Sequence, residues 1–402
     1  MLAVSCLSAA LCLLECARSV VRPSERPVRI YVTDARLDRL PIYAAAVKAR
    51  QAVSPTVWLL TGDLFADKSL TALSDGEAQM ALLNRAGVDG VAITPGWISL
   101  GLPRLGDLVS EGRFYALSAN LLDAAGQTVG HPFMVKRSGR AVFAVTGLAL
   151  DSSNVLVHLN GVRYAAPGFA AAKAVALMRQ RADLVGVMVE PRAADSAWGA
   201  DFTVNVSQPG GLALVPSGDA NRLNCCDLSN DAGRLTASTV DLDQLKPDSG
   251  VARVLDSVRA AADSIAARRI PLPGAWDALR LSDTLVRGVL AAKLADAFIC
   301  DSLFTYAFRE PEDAGALVAL LCDPGRLAIL KVQGDALSGW PPELALRPGL
   351  TRARLSRDLT YRVATTVDFL QRHPALATSG FELSTRPLWT IGLEILQSGQ
   401  VK

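Results

Sequence analysis

Histidine is nearly missing from this sequence: three residues in 402, His131, His158 and His373. Imidazole is the common nitrogen ligand for transition metals and the usual proton carrier near neutral pH, so a centre built on several histidines has almost nothing to draw on. His131 precedes Pro132 in a turn, His158 alternates within an apolar, strand-like run, and His373 precedes Pro374 after a helical pattern; each reads as a surface or satisfied histidine. The seven cysteines form no CxxC pair and no Cys/His cluster, which excludes the familiar zinc frameworks. Neither charge dominates, with Lys plus Arg at 41 against Asp plus Glu at 39, and no basic run is interleaved with aromatics. A nucleic-acid polymer is therefore not an expected partner. No apolar run approaches the roughly 20 residues a membrane-spanning helix needs, so no transmembrane segment is expected in the mature chain.

Half of the residues are hydrophobic and a fifth are charged, an ordinary globular composition, and the length suits two domains. Residues 1–26 read as a leader. No charge occurs before Glu15, the stretch from Leu7 to Leu14 is apolar enough for a signal-peptide core, and Ala17-Arg18-Ser19 supplies small residues at a cleavage spacing. Export to the periplasm or cell envelope is the expectation, with a cytoplasmic protein and a buried N-terminal helix as the alternative. Cys6, Cys12 and Cys16 fall in this leader; Cys225, Cys226, Cys300 and Cys322 read as small buried hydrophobes.

Beyond the leader, short apolar runs alternate with helical patterns. Strands are expected over 28–32, 57–60, 90–94, 114–118, 141–145, 184–189 and 202–206, with a helix over 41–51. Ser74 and Glu77, three residues apart, have the form of a capping box opening a helix through Asn84. This alternation predicts a layered α/β fold. The polar stretch 241–250 marks a boundary, followed by an Ala-rich amphipathic helix over 251–269, either a rigid linker or an ordinary packed helix. The second unit opens with a helix expected over 281–297 and continues in short strands and Gly/Pro-rich turns.

In open α/β sheets, ligands gather at the carboxyl ends of strands. Asp34 follows the first expected strand, Asp63 the second, Pro95-Gly96 the third, Glu190 a later one and Ser207 another. Two carboxylates at neighbouring strand ends are the beginning of a two-metal hydrolase site. In order, Thr33-Asp34-Ala35-Arg36, Leu60-Thr61-Gly62-Asp63-Leu64-Phe65, Gly76-Glu77, Leu117-Ser118-Ala119-Asn120 and Val145-Thr146-Gly147-Leu148 resemble the metallophosphoesterase domain of 5′-nucleotidases. Leu330 to Leu337 and Tyr361 to Leu370 are similar to its C-terminal domain. The resemblance implies a metallophosphoesterase-like β-sandwich flanked by helices over 27–247, and a smaller α/β nucleotidase-like domain over 248–402.

The departures from that pattern bear on function. Arg36 stands where the family's Asp-x-His has histidine, and Thr94-Pro95-Gly96-Trp97 replaces its Gly-Asn-His turn. Glu190-Pro191 replaces the next histidine, and Val206-Ser207-Gln208-Pro209 replaces Gly-His-x-His. Of the implied metal ligands only Asp34 and Asp63 remain, as a vestigial pair, and Arg36 is expected to place its guanidinium between them. The substrate loop near Cys300-Asp301-Ser302-Leu303 is not recognisable, and Phe381 is the one base-stacking residue carried over, with a core phenylalanine as its alternative reading. The implied function is a catalytically inactive 5′-nucleotidase-like protein that binds a small ligand or a protein partner and needs no cofactor. The alternative is an active hydrolase of nucleotides or other phosphate esters, using Asp34, Asp63 and Glu190 with manganese, zinc or magnesium.

Overall fold

The computed structural model describes residues 28–398, apart from 139–140, 151–154, 191–197, 205–211, 218, 220, 229–234, 271–277, 301–302, 304–310, 312, 322–325, 341–343 and 347–349. The leader, Cys322, Asp301, Ser302 and the replacements at Pro191 and 207–209 therefore lie outside the described residues, as does the side chain of Glu190.

The chain first lays down four parallel strands, β1 (Val28–Asp34), β2 (Thr56–Thr61), β3 (Gly90–Ala92) and β4 (Tyr115–Leu117). It then builds a second sheet from β5 (Met134–Ser138), β6 (Ala141–Ala149), β7 (Leu184–Glu190), β8 (Phe202–Val204) and β9 (Leu212–Leu214). It returns to the first sheet with β10 (Arg222–Leu228) and β11 (Leu235–Asp241), giving the orders β11-β10-β1-β2-β3-β4 and β9-β8-β7-β6-β5. The period of two along β1 explains the layering. Val28, Ile30 and Val32 enter the core shared with Phe143, Val145 and Met188 of the second sheet. Tyr31, on the opposite face, packs with Leu40, Tyr43 and Val47 of helix α1 (Leu40–Gln51). Strands buried on both faces read as continuous apolar runs, as Val57-Trp58-Leu59-Leu60 does. Helices α2 (Lys68–Ser74), α3 (Glu77–Ala86) and α4 (Leu102–Glu111) extend the layer over the first sheet, while α5 (Pro167–Arg179) covers the second.

The segment 251–269 is the body of a packed helix, α6 (Ser249–Ala266), which touches α1, α2 and α3. Asp248 caps it, accepting from Val251 N at 2.8 Å, and meets Lys48 of α1 at 3.0 Å. Beyond it come α7 (Ala278–Ala291), β12 (Ala297–Phe298), α8 (Ala314–Leu320), β13 (Arg326–Gln333), β14 (Ala345–Leu346), β15 (Thr360–Thr366), α9 (Val367–Arg372), β16 (Phe381–Pro387) and α10 (Leu388–Ser398). The five strands form a mixed sheet ordered β14-β12-β15-β13-β16, whose apolar face packs on α7 and α10.

Three local expectations are corrected. Ser74 does not cap α3: it ends α2, bonding back to Leu70 O at 2.8 Å, because Asp75 (φ 47°) and Gly76 (φ 86°) turn the chain through left-handed conformations. The helix expected over 281–297 ends at Ala291, where Lys293 (φ 56°) adopts the left-handed conformation and Leu294 N reaches back to Val289 O at 3.2 Å, a closing turn of the Schellman kind. His158 closes a 3-10 turn, Leu156–His158, and is not in a strand.

The two halves are tied at several points. Trp389 Nε1 donates to Ala72 O at 2.8 Å, Asn160 N donates to Phe381 O at 2.7 Å, and Arg326 Nη2 binds both carboxylate oxygens of Asp75 at 2.8 and 3.0 Å.

Candidate functional site

Parallel pairing places Asp34 opposite Thr61, so Asp34 and Asp63 leave the first sheet side by side, with Thr94-Pro95-Gly96 following β3 on the next strand. This is the strand end where a ligand is expected. The two aspartates, Arg36 and Arg259 line one open depression of about 420 Å³.

Arg36 is drawn to one aspartate only. Its Nε lies 2.6 Å from Asp34 Oδ2, its Nη2 donates to Tyr43 Oη at 3.1 Å, and that hydroxyl donates to Asp34 Oδ1 at 3.1 Å. The three groups close a ring, with Asp34 26% exposed. Burial, followed by the Asp34 charge, pushes the Tyr43 phenol above its ordinary value, which keeps it a protonated donor. Asp63 is held separately: its Oδ1 accepts from Phe65 N at 3.0 Å and from Thr94 Oγ1 at 3.3 Å. Its carboxylate lies against Gly96, where a Cβ would collide with Oδ1. Arg36 makes no hydrogen bond or ion pair with Asp63 among the described residues, so it joins Asp34 to α1 and does not lie between the carboxylates. Tyr43 went unnoticed in the sequence; only its place on the first turn of the helix after Arg36 could have signalled it.

These donors do not fit a pair of bridging metal ions. Asp34 is taken up by a guanidinium and a phenol, and Asp63 turns one oxygen to a backbone amide. No cluster of three or more His, Cys, Asp or Glu side chains able to hold a metal occurs among the described residues. Phe381 is fully buried at the start of β16, paired with Leu330 and bridged to Leu159. Its ring belongs to the core and presents no face to a ligand.

Behind Asp63, at the seam between the halves, lies a second cavity of about 260 Å³. Its floor includes Phe65, Leu100, Leu156 and Val367, all buried, and its mouth carries Asp63, Lys68 and Gln371, all exposed. Arg326 forms part of the wall, its side chain 4% exposed. Burial lowers the pKa of Arg326, partly offset by Asp75, and burial likewise raises the Asp75 carboxyl despite Arg326 and Arg104 beside it. Sequence reading missed Lys68, Arg326 and Gln371, because they meet here from distant segments.

A helix-flanked double sheet followed by a mixed α/β unit, with aspartates at adjacent strand ends, is a layered α/β architecture. Comparison with solved structures gives it a specific form: the chain has the fold of the 5′-nucleotidases. It matches a provisionally assigned 5′-nucleotidase from Staphylococcus aureus in complex with alpha-ketoglutarate at TM-score 0.56 and 12% identity, over 93% of this chain and 97% of that one. A 5′-nucleotidase precursor from Thermus thermophilus matches at 0.53 and 13%, over 92% and 96%. The NAD nucleotidase of Haemophilus influenzae matches at 0.53 and 11%, also over 92% and 96%. At these identities the likeness is one of fold. No protein-family model and no curated protein sequence matches the chain. No helix among the described residues is long and apolar enough to cross a membrane.

Proposed function

We propose that the chain is a 5′-nucleotidase relative that has kept the two-part fold and lost the paired-metal chemistry, working as an extracytoplasmic binding or scaffolding protein. The observation that carries this is the closed ring of Asp34, Arg36 and Tyr43, in which a permanent cation occupies a strand-end carboxylate. A hydrolase of this fold would need that carboxylate for a metal, and a proton donor for the leaving group; neither role has a free group at Asp34. The export part of the reading rests on the apolar leader.

The test is turnover and metal binding in one preparation. Nucleoside monophosphates and a chromogenic phosphate ester should not be hydrolysed with added manganese, zinc or magnesium, and calorimetric titration should find no stoichiometric metal. Saturable turnover that Asp63→Ala abolishes would overturn the reading. Residues 1–26 fused to a reporter active only outside the cytoplasm should give signal if the export part is right.

A further inference from the structure

We infer that the seam cavity binds a small zwitterion of the α-amino-acid class with an apolar side chain; this rests on the binding reading above and names its ligand. Two charges at the mouth carry the argument. Asp63 Oδ1 takes both hydrogen bonds the carboxylate receives, which leaves Oδ2 open. Lys68 Nζ has no carboxylate or carbonyl partner among the described residues, although it lines the same cavity. The other charges are spoken for: Asp75 is held by Arg326 and Arg104, and Asp368 by Arg372. One uncompensated carboxylate and one uncompensated ammonium, in one cavity but not paired with each other, match a ligand bearing both charges. The ligand's ammonium would sit on Asp63 and its carboxylate on Lys68, with the exposed Gln371 amide as a further donor.

The floor supplies the rest of the recognition. Phe65, Leu100, Leu156 and Val367 are buried and apolar, so the ligand's side chain points inward and its charged end faces the mouth. An apolar cavity of about 150 Å³ accepts benzene, so about 260 Å³ has room for a leucine-sized molecule. Phe381, the ring the resemblance offers for base stacking, is sealed in the core and does not line this cavity.

The experiment is isothermal titration of the full chain with leucine, isoamylamine (leucine without its carboxylate) and 4-methylpentanoate (leucine without its ammonium). Leucine should bind, and each analogue at least tenfold more weakly. Lys68→Met should bring leucine down to the level of isoamylamine, and Asp63→Asn should bring it down to 4-methylpentanoate; both residues are exposed, so the variants should fold like the parent. Silence from leucine, analogues as tight as leucine, or variants binding like the parent would each overturn the inference. Phosphate-ester turnover measured on the same protein separates the two readings. Silent leucine without turnover overturns this inference alone, whereas silent leucine with turnover overturns both.

Discussion

Arg326→Met removes a cation whose side chain is only 4% exposed and which binds Asp75 across the seam and Ser384 O on the neighbouring strand, so a large loss of stability would be the intuitive outcome. The structure argues for a small one. The variant loses a charge-assisted contact to Asp75 and a bond to a carbonyl, together worth about 3 kcal/mol. Against this, Arg326 Nε is buried with no hydrogen-bond partner, a defect costing about 1–3 kcal/mol, and the guanidinium carries a desolvation cost of several kcal/mol. Methionine fills most of the same volume, and Asp75 keeps Arg104 at 3.3 Å, so no charge is stranded. The expected change is within about 1 kcal/mol of the parent, where breaking a pair and leaving its partner uncompensated costs about 3–5 kcal/mol. Urea denaturation followed by tryptophan fluorescence reads this directly. The sign of the pH dependence adds a second check. Burial holds the folded Asp75 carboxyl above its ordinary 3.8, so its contribution is fully present below the unfolded value and is lost as pH rises through the folded one. Without Arg326 the carboxyl rises further, so the variant should compare best with the parent near pH 4 and worst near pH 7. A loss above about 3 kcal/mol at neutral pH, or a variant that gains on the parent as pH rises, would refute the reasoning.

Other tests are more local. Arg36→Ala should cost only about 1 kcal/mol, because Arg36 is 42% exposed and Tyr43 stays on Asp34; a cost of several kcal/mol in chemical denaturation would mean that Arg36 also neutralises Asp63. Gly96→Ala should displace the Asp63 carboxylate, since the new Cβ meets Oδ1, and lower stability by about 1 kcal/mol as its bonds from Phe65 N and Thr94 Oγ1 loosen; a crystal structure with Asp63 unmoved would contradict this. Cys226 is buried and its thiol is pushed up to about 12, chiefly by burial, so at pH near 8 it should resist alkylation until the protein unfolds. Mass-spectrometric mapping that finds Cys226 labelled in the native protein would count against the packing described.

Much of the layered half was legible because its strands are uninterrupted apolar runs ending at polar turns. Asp34 and Asp63 could be placed at neighbouring strand ends from spacing alone. What escaped was set by backbone conformation and long-range packing. Ser74 and Glu77 have the form of a cap, yet Asp75 in a left-handed conformation splits the segment into two helices. The helix at 281 stops early because Lys293 takes a position usually left to glycine. Spacing sets Arg36 beside Asp34, but its engagement of Asp34 alone depends on Tyr43, one turn into the next helix. The seam cavity could not be read at all, since Lys68, Arg326 and Gln371 share no local pattern.

The ties across the seam have a kinetic consequence. A buried indole bond, a backbone bond from Asn160 to Phe381, and α6 lying against α1, α2 and α3 on one side and α8 on the other leave little room for the halves to swing apart. Enzymes that close around substrate commonly have their turnover limited by such motions, on microsecond to millisecond timescales. Here the niche at the seam is shaped before anything enters it. Association should therefore follow concentration linearly, without a plateau from a slow opening step, and residence time should be set by contacts within the niche alone.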